Sequence, residues 1–370
     1  MALASTAAIE AGESAGRLVS LDVFRGATIA LMILVNTAGG FPGSYPPLQH
    51  ADWNGWTPTD VVFPSFVWIV GLSLTLSLGK RLSAGADRRS LVPGVLRRAL
   101  ILYLLGLFLY LFPRFDLSTA RLLGVLQRIA ICYAAASLIY LFTGIRGQIV
   151  WIVGLLGVYT VLMLTVPVPG YGVGRLDVEG NLAHYIDRMV LGRHNYAHTK
   201  TWDPEGIVST LPAIATALFG VVAAHILRLR QILSERTTWL FLIGNALIAA
   251  GLIFSPVMAI NKKLWSTSFT LFMAGLDFVM FAGLLWIVDG QKARRWGAPF
   301  VILGMNSIVI YMLSELGEIL TSTIRESVYR RFYLSWMNAA NAALFYALSY
   351  VALMFAIAYL MYRRKWFVRV

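Results

Sequence analysis

Charge is what this chain has least of. Only 13% of its 370 residues are Asp, Glu, Lys or Arg, against 58% hydrophobic, and the mean hydropathy is +0.70. A soluble domain carries about 25% charged residues, so there is too little charge here to cover a water-facing surface. Cysteine is nearly missing as well. Cys132 stands alone, which excludes an internal disulfide and a thiolate metal site. Acidic residues are the scarcer sign, 18 against 31 basic, for a net charge of +13. A nucleic-acid binder would gather that excess on one polar face. Here the basic residues fall in short clusters between long apolar runs, the pattern of a polytopic membrane protein. The residues before Arg17 have neither a basic n-region nor an apolar h-region, so no cleavable signal peptide is expected. A soluble enzyme, a secreted scaffold and a nucleic-acid binder are all excluded.

What the chain does have is apolar runs long enough to span. About 20 largely apolar residues cross the hydrocarbon core, and ten runs qualify: 18–37, 60–79, 95–112, 121–143, 148–167, 207–227, 238–255, 267–288, 299–320 and 341–362. The expected fold is all-α, a polytopic helical bundle of about ten transmembrane helices. An N-terminal tail, 1–17, precedes a single domain, 18–370, that carries a long loop, 168–206. Eighteen basic residues fall in the loops of one side, including Arg17, Arg97, Arg98, Arg230 and Arg369, and eleven on the other. Basic residues favour the cytoplasmic side, so both termini are placed in the cytoplasm, and the loops 38–59 and 168–206 face outward.

Ionisable groups within or beside spans are costly, and each is a functional hypothesis by default. Asp22 and Arg25 stand three apart at the start of the first span and share a helix face. They read either as a structural ion pair or as an anion site in which Arg25 meets a phosphate. Arg128 sits two turns into the fourth span and needs a partner or a polar cavity; Asp277 of the eighth span is a candidate. Asn36 closes the first span. The loop after it runs His50-Ala51-Asp52-Trp53-Asn54-Gly55-Trp56 to Thr57-Pro58, where threonine can cap and proline can open the second span. His50 is either a solvated loop histidine or a proton acceptor, since imidazole suits proton transfer near neutral pH and can also carry an acyl group.

Trp202-Asp203-Pro204-Glu205-Gly206 leads into the sixth span. Its two carboxylates can complement a helix N-terminus or bind a cationic or polyhydroxyl acceptor. Residues 181–191 have the pattern of a short amphipathic helix. His194 and His198 lack a third convincing ligand, and no metal is expected. Asn306 and Ser307, inside the ninth span, read as interhelical contacts, and Asn261-Lys262-Lys263 as a basic anchor at the headgroups.

Together the motifs SLDVFRG (20–26), LVN (34–36), HADWNGWTPTDVVFPSF (50–66), GVLQRI (124–129), YIDRMVLG (185–192), DPEGIVSTLPAI (203–214), NKKLWSTSF (261–269) and GMNSIVIY (304–311) resemble, in order, the heparan-α-glucosaminide N-acetyltransferase family. The resemblance implies transfer of acetyl from cytosolic acetyl-CoA to an amine of an amino sugar on the far side of the membrane. It carries the family's motif histidine onto His50 and its motif asparagine onto Asn36.

The expectation is therefore a transmembrane acetyltransferase with acetyl-CoA as co-substrate and an amino sugar or glycan as acceptor, accepting on nitrogen or oxygen. The membrane is expected to be the bacterial inner membrane. His50 is general base or acetyl carrier, with Asn36 orienting it or donating to an oxyanion. Arg25, Arg97, Arg98 and Arg128 are the expected contacts to the donor; Asp52, Asn54, Asp203 and Glu205 serve the acceptor and the His50 loop. The partners are the acceptor and the lipid bilayer, without nucleic acid, and homodimer formation is left open. The competing reading is a transporter of an amino sugar such as N-acetylglucosamine. The absence of an internal repeat, common in transporter folds, counts against it.

Overall fold

The computed structural model describes residues 18–228 and 232–368. The tail 1–17 and the orientation residues Arg17, Arg230 and Arg369 lie outside the described residues. The described chain forms twelve α-helices: α1 (Val19–Gly39), α2 (Pro58–Ser83), α3 (Arg88–Leu111), α4 (Val125–Phe142), α5 (Ile145–Thr165), α6 (Leu182–Val190), α7 (Thr210–Arg228), α8 (Leu233–Phe254), α9 (Thr267–Leu284), α10 (Ala298–Met305), α11 (Ser307–Tyr329) and α12 (Ala339–Arg363). No strand forms among the described residues. All but α6 and α10 belong to the ten segments long and apolar enough to cross a bilayer, so the chain is an integral membrane protein.

Burial sorts these helices into centre and periphery. In α7, 78% of the spanning residues are buried, and in α1 and α2 67%, against 22% or less in α3, α8, α11 and α12. The exposed faces of α3, α5 and α8 present Leu100, Leu104, Val153, Val158, Leu242 and Ile253, which suits lipid contact. The centre closes through small residues, as interfaces between helices in lipid do. A Cβ on Gly71 of α2 would stand 1.8 Å from the Ala217 carbonyl oxygen of α7, and one on Gly220 of α7 only 2.0 Å from that of Trp68. The two backbones touch there, and only glycine permits it.

The ninth apolar run, expected as one helix over 299–320, is broken at Asn306 (φ −123°, ψ 35°) into α10 and α11. The asparagine side chain accounts for the break. Its amide donates to the Trp366 carbonyl (2.9 Å) and its oxygen accepts from the Val368 N–H (3.0 Å). Asn306 thus fixes the segment after α12 instead of bridging two spans. Expectations elsewhere hold: α6 falls where the amphipathic pattern is, capped by Asn181, and α2 opens with Pro58 under a Thr57/Asp60 capping box.

Four connections interlock at one end of the bundle. Gly55 N–H donates to the Ile260 carbonyl (2.7 Å), Trp53 Nε1 to the Leu176 carbonyl (3.1 Å), and Leu122 N–H to the His194 carbonyl (3.4 Å). They form a cap over the ends of α1, α2, α4, α7 and α9, and nearly all the unusual polar chemistry lies beneath it.

Candidate functional site

His50 is held by the first turn of α2. Its Nδ1 lies 2.7 Å from Asp60 Oδ1, while the N–H groups of Ala51 (3.1 Å) and Thr57 (3.0 Å) donate to Oδ2. Asp60 therefore caps its own helix and grips both ends of the histidine loop. It is 1% exposed, whereas the His50 side chain is 48% exposed. A carboxylate only accepts, so this contact puts the imidazole proton on Nδ1 and leaves Nε2 as an acceptor on a half-exposed ring. Partial burial and the neighbouring Lys262 charge lower the His50 pKa from its usual 6.5, and Asp60 opposes them. The imidazole is neutral at pH 7 and suited to accept a proton.

The loop between α8 and α9 forms the second wall. Lys262 Nζ stands 3.0 Å from His50 Nδ1, 3.4 Å from Nε2 and 3.6 Å from Asp60 Oδ1. Burial lowers the lysine's pKa, against Asp60 and Glu205. Asn261 supports the loop by accepting from the Leu264 N–H (2.9 Å) and donating to Asn54 Oδ1 (3.3 Å), and the Lys263 ammonium donates to the Asp52 carbonyl. Asp52 and Asn54 thus meet the α8–α9 loop, Asp52 through its backbone and Asn54 through its side chain.

Beneath the cap lies a buried charge cluster. Arg121 makes a fork to Asp203, Nε to Oδ2 at 2.7 Å and Nη2 to Oδ1 at 2.5 Å, and also binds Glu205 and the Tyr110 hydroxyl. The Tyr196 ring covers its guanidinium at 4.3 Å. Burial raises the Asp203 pKa; Glu205 is held low against burial by Arg121, Arg128 and Lys262. Neither carboxylate caps α7, which starts only at Thr210; both spend their charge on Arg121. Asp187 of α6 accepts from the Ile207 (2.9 Å) and Asp203 (3.3 Å) N–H groups, and burial pushes its pKa up to about 6.

The other expected residues scatter. Asn36 Nδ2 donates to Glu315 of α11 at 3.4 Å, and its hydrogen bond goes there and not to His50. Arg128 is 1% exposed and reaches the Gly206 carbonyl (2.9 Å) and Ser209 Oγ (2.5 Å), with its guanidinium over Trp265. The Arg128–Asp277 pairing does not form, because Asp277 hydrogen-bonds to Ser65 of α2 instead. Arg128 also lies at the capped end of α4, away from Arg25, Arg97 and Arg98. At the opposite end Arg25 contacts Ser73 Oγ (2.8 Å) and Asp22 (3.4 Å), so the (i, i+3) pair is present. Arg97 and Arg98 join Arg81 and Ser77 around a cavity of about 290 Å³. Arg98 Nε is buried there without a protein partner, its guanidinium over the Tyr133 ring. A cavity lined by three guanidiniums, one of them short of an acceptor, suits a phosphate-bearing ligand.

Asp60, Lys262, Arg121 and Asp187 escape a reading of the sequence as site residues. Asp60 alone has a local signature, since Thr57-x-x-Asp60 is a capping pattern that turns its carboxylate back toward the loop. Arg121 and Lys262 depend on contacts across 80 or more residues, to Asp203 and His50, and Asp187 on the backbone of Asp203 and Ile207, 16 and 20 residues on.

Comparison with known proteins adds a family to this geometry. Residues 17–253 match the family described as heparan-alpha-glucosaminide N-acetyltransferase, catalytic. The human heparan-alpha-glucosaminide N-acetyltransferase is 31% identical over 95% of this chain and 59% of its own length. The mouse protein of that name is 29% identical over 96% and 60%. The chain thus spans about six-tenths of the length of the curated relatives it matches.

Proposed function

The chain belongs to the heparan-alpha-glucosaminide N-acetyltransferase family, and from that premise we propose that it carries acetyl groups across a membrane from acetyl-CoA to an amino sugar. The observation that carries the reading is the His50–Asp60 pair at the capped end: a neutral, half-exposed imidazole anchored through its protonated nitrogen, which leaves Nε2 as the acceptor. This is the arrangement of a general base whose tautomer is fixed by a carboxylate.

In this reading both termini face the cytoplasm, in agreement with the clustering of basic residues, and the membrane is the bacterial inner membrane. Acetyl-CoA enters at the end lined by Arg81, Arg97 and Arg98, with Arg25 nearby, and these guanidiniums take its phosphates. Asp60 and Arg81 are separated by 21 residues of α2, about 32 Å at 1.5 Å per residue. The two sites therefore stand at opposite faces, and the thioester has to travel up the bundle. His50 Nε2 takes a proton from the acceptor nitrogen as its lone pair forms the bond to the thioester carbonyl carbon. The carbon–sulfur bond then breaks, and the departing thiolate takes up the proton held by His50. Asn54 and the Asp52 carbonyl hold the histidine loop against the loop before α9. Arg128, with Asp203 and Glu205, braces the floor of the site.

Proteoliposomes test this directly. With radiolabelled acetyl-CoA on the side of the Arg cavity and glucosamine on the other, the account expects labelled, acetylated sugar on the sugar side and free CoA on the donor side. Passage of intact sugar without acetyl-CoA would overturn it in favour of a transporter.

A further inference from the structure

The Lys262 ammonium is the least expected group beside His50. Two positive charges in contact are costly in a half-exposed site, and a basic anchor at the headgroups would point away into the interface. Instead the side chain is turned in, 17% exposed, within 3.0 Å and 3.4 Å of both ring nitrogens. The two nitrogens flank a single ring carbon, so an ammonium nearly equidistant from them lies well off the lone-pair direction of either. It acts on the imidazole as a neighbouring charge and leaves Nε2 open to a substrate.

The placement is built by the fold. The α8–α9 loop is pinned to the His50 loop by Gly55 N–H to Ile260, Asn261 to Asn54, and Lys263 to the Asp52 carbonyl. Inside that loop, Ser266 Oγ accepts from the Asn261 N–H (3.1 Å) and donates to the Ala259 carbonyl (2.7 Å). The charged groups that act on His50 come from three elements: Asp60 from α2, Lys262 from the α8–α9 loop and Glu205 from the segment before α7.

We propose that Lys262 is a positioning residue that keeps His50 unprotonated, so that the imidazole meets the acceptor as a base. The role rests on the acetyltransferase reading for its purpose, but not for its existence. Asp60 alone would stabilise imidazolium and hold the base in its spent form under mildly acidic conditions. Lys262 offsets that, while Asp60 keeps its grip on Nδ1–H. The opposed charges separate two functions that a lone carboxylate would couple, fixing the tautomer and setting the protonation state.

Two readouts test this, one of them independent of turnover. Diethylpyrocarbonate modifies only neutral histidine, and peptide mass spectrometry can follow the peptide that carries His50 as pH is varied. Removing the ammonium in Lys262→Met should move the midpoint of His50 modification up by about one pH unit, the effect expected of one charge in a partly hydrated site. Lys262→Arg, which retains the charge, should leave it near the wild-type value. In acetyl transfer, the acidic limb of the pH profile should shift upward with Lys262→Met by the same amount. On the acidic limb, activity at a given pH should then fall by up to about tenfold relative to the wild type. An unmoved modification midpoint in a folded Lys262→Met or Lys262→Gln protein overturns the inference. A shifted midpoint in a protein that never transfers acetyl leaves the Lys262–His50 coupling standing and sinks the proposed reaction.

Discussion

Replacing Asp60 by asparagine exchanges one oxygen of the site for an NH₂ group of the same size and bears on the whole account. Oδ2 accepts from the Ala51 and Thr57 N–H groups and from Thr57 Oγ1 at 3.2 Å, so the asparagine oxygen takes that position. Its NH₂ is then directed at His50 Nδ1, 2.7 Å away. An amide donor there forces Nδ1 to accept, which moves the imidazole proton to Nε2 and removes the base. Loss of a correctly held general base costs about 10²–10⁴-fold, and a wrong tautomer belongs at the upper end of that range. The capping box survives, so the thermal midpoint in detergent should stay near that of the wild type, whereas Asp60→Ala should lose about 1 kcal/mol of capping. The pH profile supplies a sign. Asp60 raises the His50 pKa, so in Asp60→Asn the residual activity should hold to lower pH than in the wild type, opposite to the shift expected for Lys262→Met. Steady-state acetyl transfer across pH, beside a melting curve, settles it. A folded Asp60→Asn enzyme within threefold of wild type, with the acidic limb in place, refutes the dyad.

Other expectations follow from the same geometry. Arg121→Met leaves Asp203 and Glu205 buried without their partner, which should destabilise by about 3–5 kcal/mol and appear as lost expression or a lowered melting temperature. Arg121→Lys should not restore it, because an ammonium cannot make the fork. Arg97→Gln with Arg98→Gln should raise KM for acetyl-CoA about 10–100-fold for each guanidinium–phosphate hydrogen bond removed, with the histidine chemistry and the modification profile of His50 unchanged. Gly71→Ala places a methyl 1.8 Å from the Ala217 carbonyl oxygen and should prevent α2 and α7 from closing, read as aggregation in size-exclusion chromatography.

The architecture is legible from hydropathy because lipid admits few alternatives. A run of about 20 apolar residues must close its own hydrogen bonds as a helix, so nine of the ten spans appear near their expected positions, while the ninth is displaced to Ser307–Leu334. Asn306 is where the pattern misleads: hydropathy does not register that one amide can exchange a helical turn for hydrogen bonds to the backbone of Trp366 and Val368. His50 stands out because Asp52, Asn54 and two tryptophans flank it in a loop bounded by prolines, Thr57-Pro58 among them. Asp60, one turn on, reads from sequence as the start of a span, although its carboxylate belongs to the loop. Asp203 and Glu205 read as free acceptor groups because their neutralising charge comes from Arg121, 82 and 84 residues earlier. Partners at that separation leave no periodic trace. Arg128 lies at the end of the bundle opposite to the phosphate role expected of it, since charge alone does not tell which end of a span a cavity occupies.

The most direct test of the central claim is CoA release by the purified protein in nanodiscs, supplied with acetyl-CoA and amino sugars, comparing wild type with His50→Ala. The account predicts acceptor-dependent release that falls by at least about 10²-fold in the variant, while acetyl-CoA still binds at the Arg-lined end. Equal release by wild type and His50→Ala would contradict it.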